Sequence, residues 1–266
     1  MGDVPVIYAG DITDRPNPPP ELIHFLLDEL PDGYGIPGQH DLYYHDLDSL
    51  KKTAYGVLVR AGKIQNLAPG ETATTGKPGF HTVMLYGFPW NKPVIRCPDK
   101  ECTFSCRIAV VHAYLWTKRC SHPGARKEDY IGTVRPVLES YDCAVYGDNH
   151  RGFLNYVDPD RPDSLINCGS FIRRKSDEID NRPMIGCIRL SGKIEPHYLD
   201  VSKDRIISKE SEITSNARVP IGILEFVEDL NKLNDEQLNF REALIRYLDS
   251  HDARPEVRRA VLESIE

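Results

Sequence analysis

No stretch of this sequence approaches the ~18 consecutive apolar residues that a membrane-spanning helix needs. Residues 1–8 carry neither a basic segment nor an apolar run of signal length. These absences lead to the expectation of a cytoplasmic protein with no membrane partner. An excess of positive charge is also missing: Lys plus Arg number 33 against 40 for Asp plus Glu, a formal net charge of −7. That excludes a protein that coats nucleic acid through bulk charge, although a local basic strip on an enzyme remains compatible with it. There is no internal repeat and no low-complexity tract. The seven cysteines are an odd number, and in a reducing compartment free, mostly buried thiols are expected. What is present is ordinary for a globular chain. Hydrophobic residues make up 40% and charged residues 27% of 266 positions, enough for one large α/β domain with or without an appendage.

The apolar pattern begins with a strand, Val4-Pro5-Val6-Ile7-Tyr8-Ala9, which is short and β-branched. A helical stripe follows over 21–30, entered through the prolines at 18–20, where a helix start tolerates them. A return strand at 33–37 completes a βαβ pattern and implies a sheet with parallel neighbours. Further strands are expected at 80–88, 107–112, 142–146 and 164–168, and a hairpin at 184–199 around Ser191-Gly192-Lys193. Residues 66–79, rich in Gly, Thr and Pro, are expected to form a loop. The tail shows helical patterns at 221–233, 235–248 and 257–265, so the expected division is a domain over 1–201 and a helical segment over 202–266.

Polar residues stand where the apolar strands end. The series is Gly10-Asp11-Ile12-Thr13-Asp14, then Gly38-Gln39-His40-Asp41, then Val111-His112, then Gly147-Asp148-Asn149-His150. In open α/β folds, sites gather outside the carboxyl ends of strands. Carboxylate, amide oxygen and imidazole together suit Mn²⁺, Fe²⁺ or Zn²⁺. Taken singly, each has an ordinary meaning. Asp11 and Asp14 could cap the following helix, His112 could be a satisfied core histidine, and His40-Asp41 could be a turn. A rival zinc site can be drawn from Cys97, Cys102, Cys106, Cys120 and His122, but the spacing departs from the usual close cysteine pair.

Taken in order, the blocks resemble the calcineurin-like metallophosphoesterases. The family pattern runs Asp-x-His, Gly-Asp-x-x-Asp, Gly-Asn-His-Asp/Glu, a lone His, then Gly-His-x-His. Four of these five blocks are matched across about residues 4–200. The resemblance implies an α/β fold made of a two-sheet sandwich flanked by helices, with two divalent metal ions that clamp a phosphoester. It makes Asp11 the carboxylate bridging both metals, Gln39, His112 and Asp148 ligands of the second metal, and His150 a ligand of the first. It makes His40 the catalytic histidine, with Asp41 orienting it. Gln39 replaces the family's Asn and Asp148 replaces its His, which makes the second site richer in oxygen and favours Mn²⁺. Both substitutions are similar to the branch of the SbcCD-type repair nuclease subunit.

No Asp-x-His block stands ahead of Gly10-Asp11 in this sequence, so the resemblance leaves the first metal without two of its ligands. The resemblance to that nuclease branch implies a phosphodiesterase or nuclease acting on DNA. The alternatives are a small-molecule phosphodiesterase or phosphatase, and a catalytically impaired or split-gene fragment acting through a partner. A protein partner docking on the C-terminal helices, and a homodimer, belong to the same expectation.

Overall fold

A computed structural model describes residues 4–67, 72–75, 82–98, 105–118, 125–172 and 180–204. The expected tail helices lie outside these residues, as do Cys102, Cys120 and His122 of the rival zinc site.

The chain opens as its sequence suggests. Strand β1 (Val6–Tyr8) and strand β2 (Gly33–Gly35) flank helix α1 (Pro20–Glu29) and pair in parallel, with Val6 opposite Gly33 and Tyr8 opposite Gly35. Pro20 takes the first helical position, where its missing N–H would have had no intrahelical partner. A short helix α2 (Ala54–Arg60) starts at Thr53, whose hydroxyl accepts from the Gly56 N–H at 3.1 Å. Strand β3 (Ile64–Asn66) then joins β2 in parallel and completes a three-stranded sheet in the order β1-β2-β3.

A second sheet holds β4 (Thr72–Thr75), β5 (Val83–Phe88), β6 (Cys106–His112), β7 (Cys143–Gly147), β8 (Phe153–Asn155) and β9 (Leu165–Asn167). The spatial order is β4-β5-β6-β7-β9-β8. Its four inner strands are parallel, and β4 and β8 close the two edges antiparallel. The expectation of a loop over 66–79 is corrected in its middle, because Thr72–Thr75 pairs with β5. Three threonines in four positions suit an edge strand, and the flanking glycines and prolines had hidden them. Strands β10 (Met184–Ile188) and β11 (Ile194–Tyr198) form the expected hairpin, with Gly192 at φ 82° in its turn.

Strand alternation sorts the core into layers. On β6, Cys106, Ile108 and Val110 face one way and Ala109 and Val111 the other. The first face meets Ile36, the residue after β2, and Met184 and Ile194 of the hairpin. The second face packs with Tyr86, Tyr141 and Leu138, the last from helix α3 (Ile131–Leu138). Outside the smaller sheet, Leu26 of α1 and Tyr55 and Leu58 of α2 cover Ile64. Each fully buried Leu or Ile here is worth roughly 1.5–3 kcal/mol. The apolar layer between the sheets, more than the hydrogen bonds of short strands, therefore fixes how the strand ends meet. The result is a mixed α/β architecture of several sheets flanked by few helices. Among the described residues, no helix is long and apolar enough to cross a membrane.

Candidate metal centre

The carboxyl ends of β1, β2, β6 and β7 converge. Asp11 follows β1 after Gly10, and both residues have left-handed backbone, with φ of 52° and 90°. Asp148 follows β7 with φ of 83°. Left-handed conformations of non-glycine residues cost on the order of 1–3 kcal/mol and concentrate at functional sites. Here they turn both carboxylates across the strand ends toward His112, the last residue of β6.

His112 is buried, with 1% of its surface exposed. Its Nδ1 lies 2.5 Å from the Ala9 carbonyl oxygen, which fixes the proton on that nitrogen in the neutral ring. Its Nε2 faces the Gln39 Oε1 at 2.6 Å and the Asp11 Oδ2 at 3.4 Å. The Gln39 amide N–H in turn donates to the Asp148 Oδ1 at 2.7 Å. Ligand atoms of Asp11, His112 and Asp148 all lie within 4.8 Å of one another, and the group could hold a metal ion.

The donor set fits a cation on physical grounds. With Nδ1 committed to the Ala9 carbonyl, the lone pairs of the His112 Nε2, Gln39 Oε1 and Asp11 Oδ2 converge on one point. Three acceptors facing each other in a partly buried space repel unless a positive charge lies between them. A proton is one solution. Burial pushes the His112 ring down, but the hydrogen bond to Asp11 and its charge, the Ala9 carbonyl and Asp148 together raise it above its ordinary value. A divalent ion held by the same atoms is the other.

The remaining residues of the series take different places. His40 is exposed, and its backbone N–H donates to the Asp11 Oδ1 at 2.9 Å. Asp41, expected to orient the His40 ring, turns inward instead. It is fully buried and accepts from the backbone N–H groups of Asp11 at 2.8 Å, Gly38 at 3.0 Å and Thr13 at 3.3 Å. Its carboxylate thus ties the loop after β1 to the loop after β2. His150 is exposed, at the far end of the turn that begins with Asp148, and it is not one of the three residues of the metal group.

Two asparagines that sequence reasoning passed over hold that turn. Buried Asn149 donates to the Leu115 carbonyl at 2.8 Å and accepts from the Arg151 N–H at 3.0 Å. Buried Asn167, on β9, donates to the carbonyls of Asn149 at 2.6 Å and Arg151 at 3.0 Å. The available signal was an asparagine inside an apolar strand, where that residue is disfavoured. Trp90 was passed over too, and its ring packs edge-on against His112 at 6.3 Å between centroids.

Burial raises the Asp41 carboxyl to about 6, opposed by the Gly38 N–H and reinforced by the Asp11 charge. The folded value lies above the unfolded one, so the fold favours protonated Asp41. Its contribution is complete below pH ~4 and is lost as pH rises through ~6. In metal-free protein, this group is expected to remove about 3 kcal/mol of stability across that window. Asp41→Asn should flatten that part of a melting-temperature profile taken in chelator. Parallel profiles for the two proteins would show that Asp41 does not titrate there.

Compared with protein-family models and with curated protein sequences, the chain matches none.

Proposed function

We propose that this chain is a metal-dependent phosphoester hydrolase of the calcineurin-like type, a phosphodiesterase of the nuclease branch with DNA as its substrate. The observation that carries the proposal is the convergence of Asp11, Gln39, His112 and Asp148 from four strand ends on one small volume. The layering of two apolar-packed sheets between helices supports the same fold. Asp11, His112, Asp148 and the Gln39 amide oxygen would hold the second metal of the pair, three oxygen ligands and one nitrogen, a set that favours Mn²⁺. A divalent ion held there would supply a lowered pKa for bound water and neutralisation of charge on phosphorus. The protein's share is positional. The Ala9 carbonyl sets the His112 tautomer, so that Nε2 presents its lone pair. The His40 backbone N–H keeps the Asp11 Oδ1 engaged, which directs its Oδ2 to the His112 side. The His40 ring is exposed, next to Gln39 in the chain, and would protonate the departing oxygen of a phosphoester held at the metal.

Metal content tests the proposal. His112→Ala and Asp148→Ala should each lose most of the Mn²⁺ that co-purifies or is bound after dialysis, measured by plasma mass spectrometry. Each deletes one of four ligands from a site with no spare. Unchanged metal in both proteins would dismiss the ligand assignment and the hydrolase with it.

A further inference from the structure

A cleft of about 480 Å³ shares one loop with the candidate ligands, the loop after β2 that carries Pro37 and Gln39. Pro37, in its wall, precedes Gln39 by two residues. Pro89, also in its lining, precedes Trp90, whose ring packs against His112. The Trp90 N–H donates to the Pro37 carbonyl at 3.2 Å, which ties these two segments of the lining together. We propose that this cleft seats a nucleobase attached to the phosphoester, so that the substrate is nucleotidic and its base is read here. The proposal rests on the hydrolase reading for the position of the phosphate, but base binding itself needs no hydrolysis.

The lining has the chemistry of a base site. Pro37, Pro89, Leu47 and Leu50 supply aliphatic surface against which a planar ring can pack. Asn66, at the end of β3, supplies a fixed polar edge. Its Oδ1 accepts from the Tyr55 hydroxyl at 3.1 Å, and Tyr55 is fully buried, so the amide cannot swing freely. The Asn66 N–H₂ remains to donate, and no described residue accepts from it. Asp48 adds an acceptor for a ring N–H or exocyclic amine, and Lys51 adds a cation for a neighbouring phosphate. An acyl chain would leave the Asn66 donors unpaired on the cleft wall, which a polar group resists. A ring with heteroatoms at its edge satisfies them.

The test compares two probes by calorimetry in the presence of Mn²⁺: nucleoside 5′-monophosphates and ribose 5-phosphate, which share the phosphate and sugar. The native chain should bind at least one nucleotide roughly tenfold or more tighter than ribose 5-phosphate. Leu50→Trp, which fills the cleft, should bring the nucleotide down to the affinity of the sugar phosphate. Asn66→Leu should keep base binding but compress the differences among the four bases. If Leu50→Trp fails to fold, Asn66→Leu alone decides. Equal affinities of the native chain for both probes would overturn the proposal. So would a preference for the nucleotide that survives Leu50→Trp, or differences among the four bases that survive Asn66→Leu, because the base would then sit elsewhere. Nucleotide binding that passes these tests in a chain whose metal ignores His112 and Asp148 would leave the cleft standing and remove the hydrolase alone.

Discussion

His40→Ala is expected to slow phosphodiester hydrolysis by roughly 10²- to 10⁴-fold, the range of a single general acid–base residue, while bound Mn²⁺ stays in place. The separation follows from how His40 is attached. Its link to the metal group is a main-chain N–H on the Asp11 Oδ1, which survives removal of the ring. The ring itself is exposed, and Asp41 spends its carboxylate on three backbone N–H groups instead of on the imidazole. Proton donation matters most for a poor leaving group, so DNA should lose more rate than an activated aryl phosphodiester. Rate and metal content measured on the same preparations decide the case. If the metal disappears with the ring, His40 is a ligand. If the rate holds on both substrates, His40 has no part in the chemistry.

The other large effect is expected at a residue with no side chain. A Cβ built on Gly38 would overlap the Asp11 Oδ1 and crowd the His112 Cε1. Neither neighbour can retreat and remain a ligand. Asp11 is fixed by its left-handed backbone and by the bond from its N–H to Asp41, and His112 is fixed by the Ala9 carbonyl. Gly38→Ala should therefore weaken metal binding by roughly 10- to 100-fold and cost about 1–3 kcal/mol of stability from overpacking. Gly62→Ala is the control. Gly62 has φ of 81° and no atom within 4 Å of a built Cβ. Its substitution should cost about 1–2 kcal/mol for the backbone alone and leave metal affinity untouched. Titration against a fluorescent chelator separates the two variants. Equal affinities would mean that the Gly38 approach does not shape the site.

The strands were legible where apolar β-branched runs stop at a glycine or a polar residue. Asp11, His112 and Asp148 were legible for the same reason, as they interrupt such runs at the strand ends. Gln39 was different. Alone in a sequence a glutamine carries no signal, and its relevance came through the resemblance. Its contacts at 2.6 Å with His112 and 2.7 Å with Asp148 depend on two strands far away in the chain. The partners of Asp41 could not be read at all, because backbone N–H groups look alike in every sequence and only the folded loops bring Asp11, Gly38 and Thr13 around one carboxylate. Helices α2 and α3, with seven and eight residues, are too short to show a full amphipathic stripe. A proline inside α3 obscured it further. The cleft escaped because its walls come from 37, 47–51, 66 and 89, which no local pattern joins.

The four converging side chains do not come from one sheet. Asp11 and Gln39 follow strands of the three-stranded sheet, whereas His112 and Asp148 belong to the six-stranded one. A cation shared by them is therefore a reversible cross-link between the layers. Its occupancy enters the equilibrium for prising the sheets apart, and every tenfold rise in free ion above the dissociation constant adds about 1.4 kcal/mol against separation. In a metal-starved cell the same chain would part more readily along its interlayer seam and offer Ile36, Ile108 and Val110 to chaperones and proteases. Metal supply would then govern how long the protein lasts as well as whether it works.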